Sequence, residues 1–565
     1  MKMQKNSFII LIFSLLLFTS CQNRRLTKSP FKKKIQDYSL INQGTILSGE
    51  IGEGKTFYLV RDDAEKMKGF CFIDNKQAVV EVIEFATDSI GRATFVYEGN
   101  VYSGKMFANE MEIETVLPEI SKLNLKQQTI SLKHFNDITK EIDCQEYYKT
   151  DVFENITSRK DIQYGKAMGY YSSKPIDHIS KDDYTKLLGE LFRTSIANTG
   201  FLIKYNLEQI PLHLDIYRPE TANLGKCPLI LFIHGGAFFF GDKENKLQQA
   251  LTDYFVKKGY IVASINYRMG TSLLPSSIKR TIYSEVQDTR AALNYLVHHK
   301  EQFGIDAEQI YLTGSSAGGF ISLTTAFMDS NEIYAEAKRI PLLRDDLGGL
   351  DDTSDFKEDF KIAGVVSLWG GVTDLEMLNN NIPTLLFHGT KDDIVPSGKG
   401  LPFKNLMGNF LYRPLSFCFG EIYGSEPIYK HLQSQNIPVK YYPFPDGEHE
   451  LHIDSDDSLN ENMDIICEEM NNFLYDNVSK HYFDFDLSGD KIVEKFYPAP
   501  IYKLNNISEN SAVQWQVDGG FITNQTNNGI RVVWYNTREK GTITACITNT
   551  NGASCKRVLE VRINR

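Results

Sequence analysis

Between about residues 200 and 480, short and almost uninterrupted apolar runs alternate with helical stretches, and this alternation restricts the fold more than any other feature of the chain. The runs are Ile210 to Tyr217, Pro228 to Ile233, Tyr260 to Ile265 and Gln309 to Leu312, with one helix reaching Lys258 and another running through Tyr283 to Lys300. A strand exposed on one face alternates polar and apolar residues, whereas a strand covered on both faces need not. Apolar strands separated by helices therefore predict an α/β domain, built on a mostly parallel sheet with helices on both sides.

The strand ending at Leu312 runs into Thr313-Gly-Ser-Ser-Ala-Gly-Gly319, and a helix opens at Phe320. Gly314 to Gly318 fit G-x-S-x-G, a short pattern that gains meaning at a strand-to-helix turn, where the central serine is lifted above the sheet. Ser316 is that central residue. A serine hydroxyl needs a base to take its proton and donors to hold the oxyanion. Upstream, the strand from Leu229 to Ile233 ends in His234-Gly-Gly-Ala-Phe238, which makes the backbone N–H groups of Gly235, Gly236 and Ala237 donor candidates together with Ala317. His234 reads as a loop-holding residue and not as the base. Downstream, the strand from Ile382 leads to His388-Gly-Thr-Lys-Asp392, with Asp392 as the acid and its neighbour Asp393 as the alternative. The strand from Val439 to Phe444 is followed by Asp446-Gly-Glu-His449, which nominates His449 as the base and His452 as the second choice. The chain order Ser, Asp, His is the one expected of an α/β-hydrolase.

Taken together, HGGAFFFGD, GYIVASINYR, VQDTRAALNYLVHHKEQFGIDAEQIYLTGSSAGG, HGTKDDIVP and GEHEL make residues 200–480 resemble the α/β-hydrolase carboxylesterases, close to the hormone-sensitive-lipase and feruloyl-esterase-like bacterial groups. The resemblance implies a doubly wound sheet, no cofactor and no metal, and a serine esterase working through an acyl-enzyme. Ala237 stands where lipase-like members carry a third glycine, a change that keeps the backbone donor. Two insertions, at about 329–361 and 399–429, lie where pockets are built on this fold. Phe238-Phe-Phe240 reads equally as pocket lining or as packing.

The remaining chain reads as flanking modules, as expected for 565 residues. Residues 40–135 carry short alternating strands that predict an all-β meander or small barrel, and 141–199 read as a mixed lead-in segment with an amphipathic stretch at 182–194. Residues 481–510 read as an acidic linker. Its Asp484 to Asp490 begins like a calcium loop but has Lys495 where the bidentate glutamate belongs. Residues 511–565 predict an Ig-like β-sandwich, and the segment around Trp515 resembles the PKD-like domains appended to exported bacterial proteins.

Residues 1–21 have the charged start, apolar run and small-residue end of a secretory signal, and the apolar run is shorter than a membrane span. Thr19-Ser20-Cys21 resembles a lipoprotein box, which would make Cys21 a lipidated tether to the membrane. Phe18 stands where such a box usually has leucine, so ordinary cleavage stays open. Cys546 and Cys555 bracket a hairpin centred on Thr550-Asn551, where either a disulfide or two thiols would fit. The net charge of -11 offers no broad basic field for nucleic acid. The expected partner is a small-molecule or glycan ester. A serine peptidase of the same fold and a catalytically silent adhesion protein are the competing readings.

Overall fold

The computed structural model describes residues 142–168, 209–328 and 348–564, with breaks at 145, 221–224, 239–240, 270–276, 404–415, 417–418, 495–498, 508–510, 535–538 and 550–552, together with the backbone of nine strands between Ile46 and Gln127. The signal segment with Cys21, the amphipathic stretch 182–194, Phe239 and Phe240 lie outside the described residues.

The central sheet has eight strands: β1 (Ile156–Met168), β2 (Gln209–Pro219), β3 (Cys227–Ile233), β4 (Ile261–Ile265), β5 (Ile305–Ser315), β6 (Ile362–Leu368), β7 (Thr384–Gly389) and β8 (Val439–Phe444). Their spatial order is β1-β2-β4-β3-β5-β6-β7-β8. Only β2 runs against its neighbours; the pairs from β4 to β8 are parallel. This is the α/β-hydrolase order. Among the described residues the helices longer than one turn are α1 (Lys246–Val256), α2 (Ser277–His298), α3 (Ala317–Phe327), α4 (Ser425–Ser434) and α5 (Glu461–Phe483).

All seven residues of β3 are buried, which is why its sequence lacks a polar alternation. Period-two geometry still divides them. Leu229, Leu231 and Ile233 join one core with Ile282, Val286 and Leu293 of α2 and Phe320 of α3. Ile230 and Phe232 join the opposite core with Leu251 and Phe255 of α1 and Ile466, Met470 and Leu474 of α5. Each fully buried side chain of this kind contributes roughly 1.5–3 kcal/mol.

The catalytic-type sheet begins earlier than residue 200. Its edge strand β1 lies within the segment read as a lead-in, because Ile156-Thr-Ser-Arg-Lys-Asp-Ile-Gln has no apolar alternation to reveal it. The nine N-terminal strands form one antiparallel sheet in which the first strand, Ile46–Glu50, pairs with both the second and the last, Leu123–Gln127.

The C-terminal module has two sheets. One contains Ala512–Asp518, β9 (Lys540–Thr548) and β10 (Ala553–Asn564), with Ile142–Asp143 and Ile492–Glu494 beside β10; the other contains Asp486–Ser488, Ile501–Asn505, Gly520–Thr526 and Gly529–Trp534. Residues 481–510 are therefore not a linker: after the end of α5 they supply three strands of the sandwich.

The Cys546–Cys555 pairing is also corrected. In the β9–β10 hairpin Cys546 faces Lys556 and Cys555 faces Ile547, so the two cysteines are one residue out of register and their side chains lie on opposite faces. Cys555 is instead bonded to Cys144, whose N–H donates to the Ser554 carbonyl, while Cys546 remains a thiol. Non-reducing peptide mapping by mass spectrometry should join the Cys144 and Cys555 peptides and find Cys546 alkylated. Cys144→Ser should lower unfolding free energy by about 2–5 kcal/mol, and Cys546→Ser should leave it nearly unchanged.

Candidate active site

β5 ends at Ser315 and α3 begins at Ala317, leaving Ser316 alone on the turn with φ 53° and ψ −118°. A non-glycine residue at positive φ is strained by Cβ sterics. The surroundings hold it there. The Ser316 N–H donates to the Leu368 carbonyl at the end of β6 (2.9 Å), and a Cβ at Gly318 would collide with the Ile233 carbonyl oxygen at the end of β3.

The turn aims Ser316 Oγ at His449 Nε2, 2.9 Å away. His449 arrives on the loop after β8, and its Nδ1 lies 2.8 Å from Asp392 Oδ2. Asp392 follows β7 and its carboxyl is wholly buried. Oδ1 accepts the N–H groups of Ile394 and Val395, each at 2.9 Å. Burial alone would raise this carboxyl. The charge of His449 and hydrogen bonds from His388 and His449 outweigh it and hold Asp392 below the usual carboxylate range. With Oδ2 facing His449 Nδ1, the proton sits on Nδ1 and Nε2 is left to accept from the serine hydroxyl.

The alternatives fall elsewhere. Asp393 is exposed. His452 is buried, with its ring stacked on Trp369 at 5.1 Å.

The loop after β3 lies against the serine. A Cβ at Gly235 would stand 2.9 Å from the Ser315 carbonyl oxygen and 3.3 Å from Ser316 Cβ. Gly236, Ala237 and Phe238 all have positive φ, at 123°, 51° and 69°. Ala237 therefore occupies a left-handed conformation that a glycine would adopt without strain. On the other side, Ala317 opens α3, where the first N–H groups have no intrahelical acceptor. Gly235 and Ala317 thus flank Ser316 from two directions, and Gly236 and Ala237 follow Gly235 in the same loop.

His234 anchors the start of the loop: its Nδ1 bonds the Gly235 carbonyl at 2.7 Å, its ring stacks on Tyr267 at 4.3 Å, and the Tyr267 hydroxyl donates to its carbonyl. Farther along, Lys243 N–H donates to Asn266 Oδ1, and the buried Lys243 ammonium lies 3.0 Å from both Asp215 and Asp161. Phe238 packs between Phe320 and Phe419, at 6.0 and 5.6 Å, and is fully buried. Of the insertions, residues 348–358 dock on α2 through an Arg290–Asp351 pair and a Tyr283–Gly348 bond.

Sequence reasoning missed three contributors: Leu368, which acts through its carbonyl; His388, whose side chain backs Asp392; and Trp369, which holds His452. His388 stood inside a motif already singled out, but nothing in its spacing told which way its ring points.

The BD-FAE family matches residues 214–382. Among curated relatives, Glutactin of Drosophila melanogaster is 34% identical over 20% of this chain and 10% of its own length. The "Probable carboxylic ester hydrolase LipM" of Mycobacterium tuberculosis is 33% identical over 20% of this chain and 25% of its own length. The chain thus spans a quarter or less of these two relatives. The apo form of Thermogutta terrifontis esterase 2 has a TM-score of 0.32 and 17% identity, covering 47% of this chain and 90% of that one.

His234 Nε2 and His452 Nδ1 have no hydrogen-bond partner among the described residues. Burial pushes both imidazoles down to about 4, helped at His452 by the charge of His449 and opposed at His234 by the bond to Gly235. Unfolded, they bind protons near about pH 6.5. Their contribution to stability is therefore complete above about pH 6.5 and declines as pH falls toward about 4. Urea midpoints taken from about pH 7.5 to about pH 4.5 should fall. His452→Phe, which keeps a ring on Trp369, should flatten the fall; an unchanged slope contradicts the assignment.

Proposed function

We propose that the chain is a serine carboxylesterase that hydrolyses small-molecule or glycan esters through an acyl-enzyme. One observation carries the reading: the continuous hydrogen-bonded chain from Ser316 Oγ through His449 to the buried Asp392 carboxylate. The names of LipM and of the "Esterase LipI" of Mycobacterium tuberculosis support the reaction class.

In the proposed reaction Ser316 Oγ attacks the ester carbonyl carbon as its proton passes to His449 Nε2. The carbonyl electrons move to oxygen, where N–H groups of Gly235, Gly236 or Ala237 and of Ala317 receive the negative charge. Collapse breaks the bond to the leaving alkoxide, which takes the proton from His449. Water then attacks the acyl-enzyme with His449 again as base, and the acid product leaves Ser316 restored. Asp392 holds the imidazole tautomer and offsets its charge throughout, without itself taking the proton.

The proposal includes location. The signal-like segment at 1–21 supports export, and Cys21 supports tethering of the mature chain by lipid, with the PKD-like C-terminal module as an accessory. The competing peptidase reading would use the N-terminal β region as a gate. That region forms one nine-stranded sheet and not a set of four-stranded blades.

Ser316→Ala should lower turnover of p-nitrophenyl acetate by about 10⁴-fold or more while thermal unfolding stays close to that of the unaltered chain. Retained turnover refutes the assignment. In the bacterial host, Cys21→Ala should abolish incorporation of labelled fatty acid, and unchanged labelling removes the lipid tether.

A further inference from the structure

A second imidazole shares the Asp392 carboxylate with His449. His388 is the fifth residue of β7, and its side chain is wholly buried. Its Nε2 is 2.9 Å from the Val395 carbonyl oxygen and 3.2 Å from Asp392 Oδ2. Both are acceptors, so Nε2 carries the proton. Nδ1 then accepts from the Ser425 hydroxyl, 2.8 Å away at the first residue of α4, where Ser425 is also fully buried.

The consequence for the carboxylate is geometric. Oδ1 receives two backbone N–H groups, from Ile394 and Val395. Oδ2 lies within reach of two imidazole N–H groups, His449 Nδ1 at 2.8 Å and His388 Nε2 at 3.2 Å. His388 also ties down the Val395 carbonyl, so the turn that supplies the Oδ1 donors is fixed by the same ring. A carboxylate held by four N–H donors, two on each oxygen, cannot rotate without losing a partner, and each donor favours its ionised form.

We infer that His388, oriented by Ser425, is a positioning residue for the proposed reaction: it locks the Asp392 carboxylate in the rotamer and charge state that orient His449. The inference rests on the serine-hydrolase reading and reaches the reaction only through Asp392. The charged or titratable groups facing the carboxylate are His449, from the loop after β8, and His388, from β7; α4 contributes the neutral Ser425.

The test uses the full chain and a fluorophosphonate probe, with the rate of Ser316 labelling measured across pH beside p-nitrophenyl acetate turnover. His388→Leu, which removes the donor at similar volume, should slow labelling and kcat by about 10- to 100-fold, with KM little changed. It should also move the acid limb of both profiles to higher pH, by about one unit, because the Oδ2 charge that His388 shared then falls on His449 alone and favours the protonated imidazole. His388→Gln, which can return an N–H near the Nε2 position, should recover most of the rate and the original acid limb. Ser425→Ala keeps the ring and removes only its outer partner, so it should give a smaller change of the same sign. This variant decides the matter if His388→Leu does not fold. If the unaltered chain labels and turns over but His388→Leu and Ser425→Ala keep its rates and pH profile, the positioning role is overturned. It is equally overturned if His388→Gln is no better than His388→Leu. If the unaltered Ser316 does not label at all, the nucleophile reading fails and takes this one with it.

Discussion

The parallel pairing of β3 with β5 is the constraint on which the rest of the site depends. Ile233 stands opposite Gly314, so the loop leaving one strand and the turn leaving the other emerge side by side. The Ile233 carbonyl then passes so close to Gly318 that no side chain fits between them. A slip of one residue would exchange the two faces of a strand that is buried on both. The register is therefore held by both cores at once, and the distance between the donor loop and Ser316 is a property of the sheet and not of the loops.

Around that fixed point the structure arranges groups whose conformations are unfavourable alone. Ser316, Ala237 and Phe238 all sit at positive φ without being glycine. Such strain persists where neighbours over-determine it. Here the neighbours are the Leu368 carbonyl under the turn, the Tyr267 ring and hydroxyl against His234, and the Lys243 ammonium held by Asp215 and Asp161. The buried charges of Lys243 and Asp215 offset one another, with the exposed Asp161 adding to the pair, so the loop is anchored at both ends before any substrate arrives.

Much of this was readable in the sequence, for a physical reason. A residue placed at the end of a buried apolar strand has its position set by the strand, and Ser316 and Asp392 each follow one; His449 follows the half-exposed Val439–Phe444 and was legible from the chain order Ser, Asp, His. The doublet Asp392-Asp393 could not be resolved by spacing, because adjacent residues on a turn differ only in which one finds donors. The strand β1 was hidden because an edge strand rich in charged residues carries no hydrophobic period. The strands in 481–510 are three to five residues long and draw their stability from partners far along the chain. The disulfide failed on parity: a hairpin centre displaced by half a residue sends two cysteines to opposite faces. His388 shows the deeper limit. A pattern can say that an imidazole lies near the acid, but not that its Nε2 shares the same oxygen as the base.

The Cys144–Cys555 bond joins residues 411 apart and encloses the whole eight-stranded sheet between its two sulfurs. Topologically the α/β domain is a closed ring whose clasp lies in the neighbouring sandwich. A single backbone cut anywhere in that ring leaves one covalent molecule, with Ser316 and His449 still linked through the clasp. Beyond the cell's reducing interior, such a chain can survive a protease that nicks a surface loop, and only a second cut or a reductant lets its pieces part.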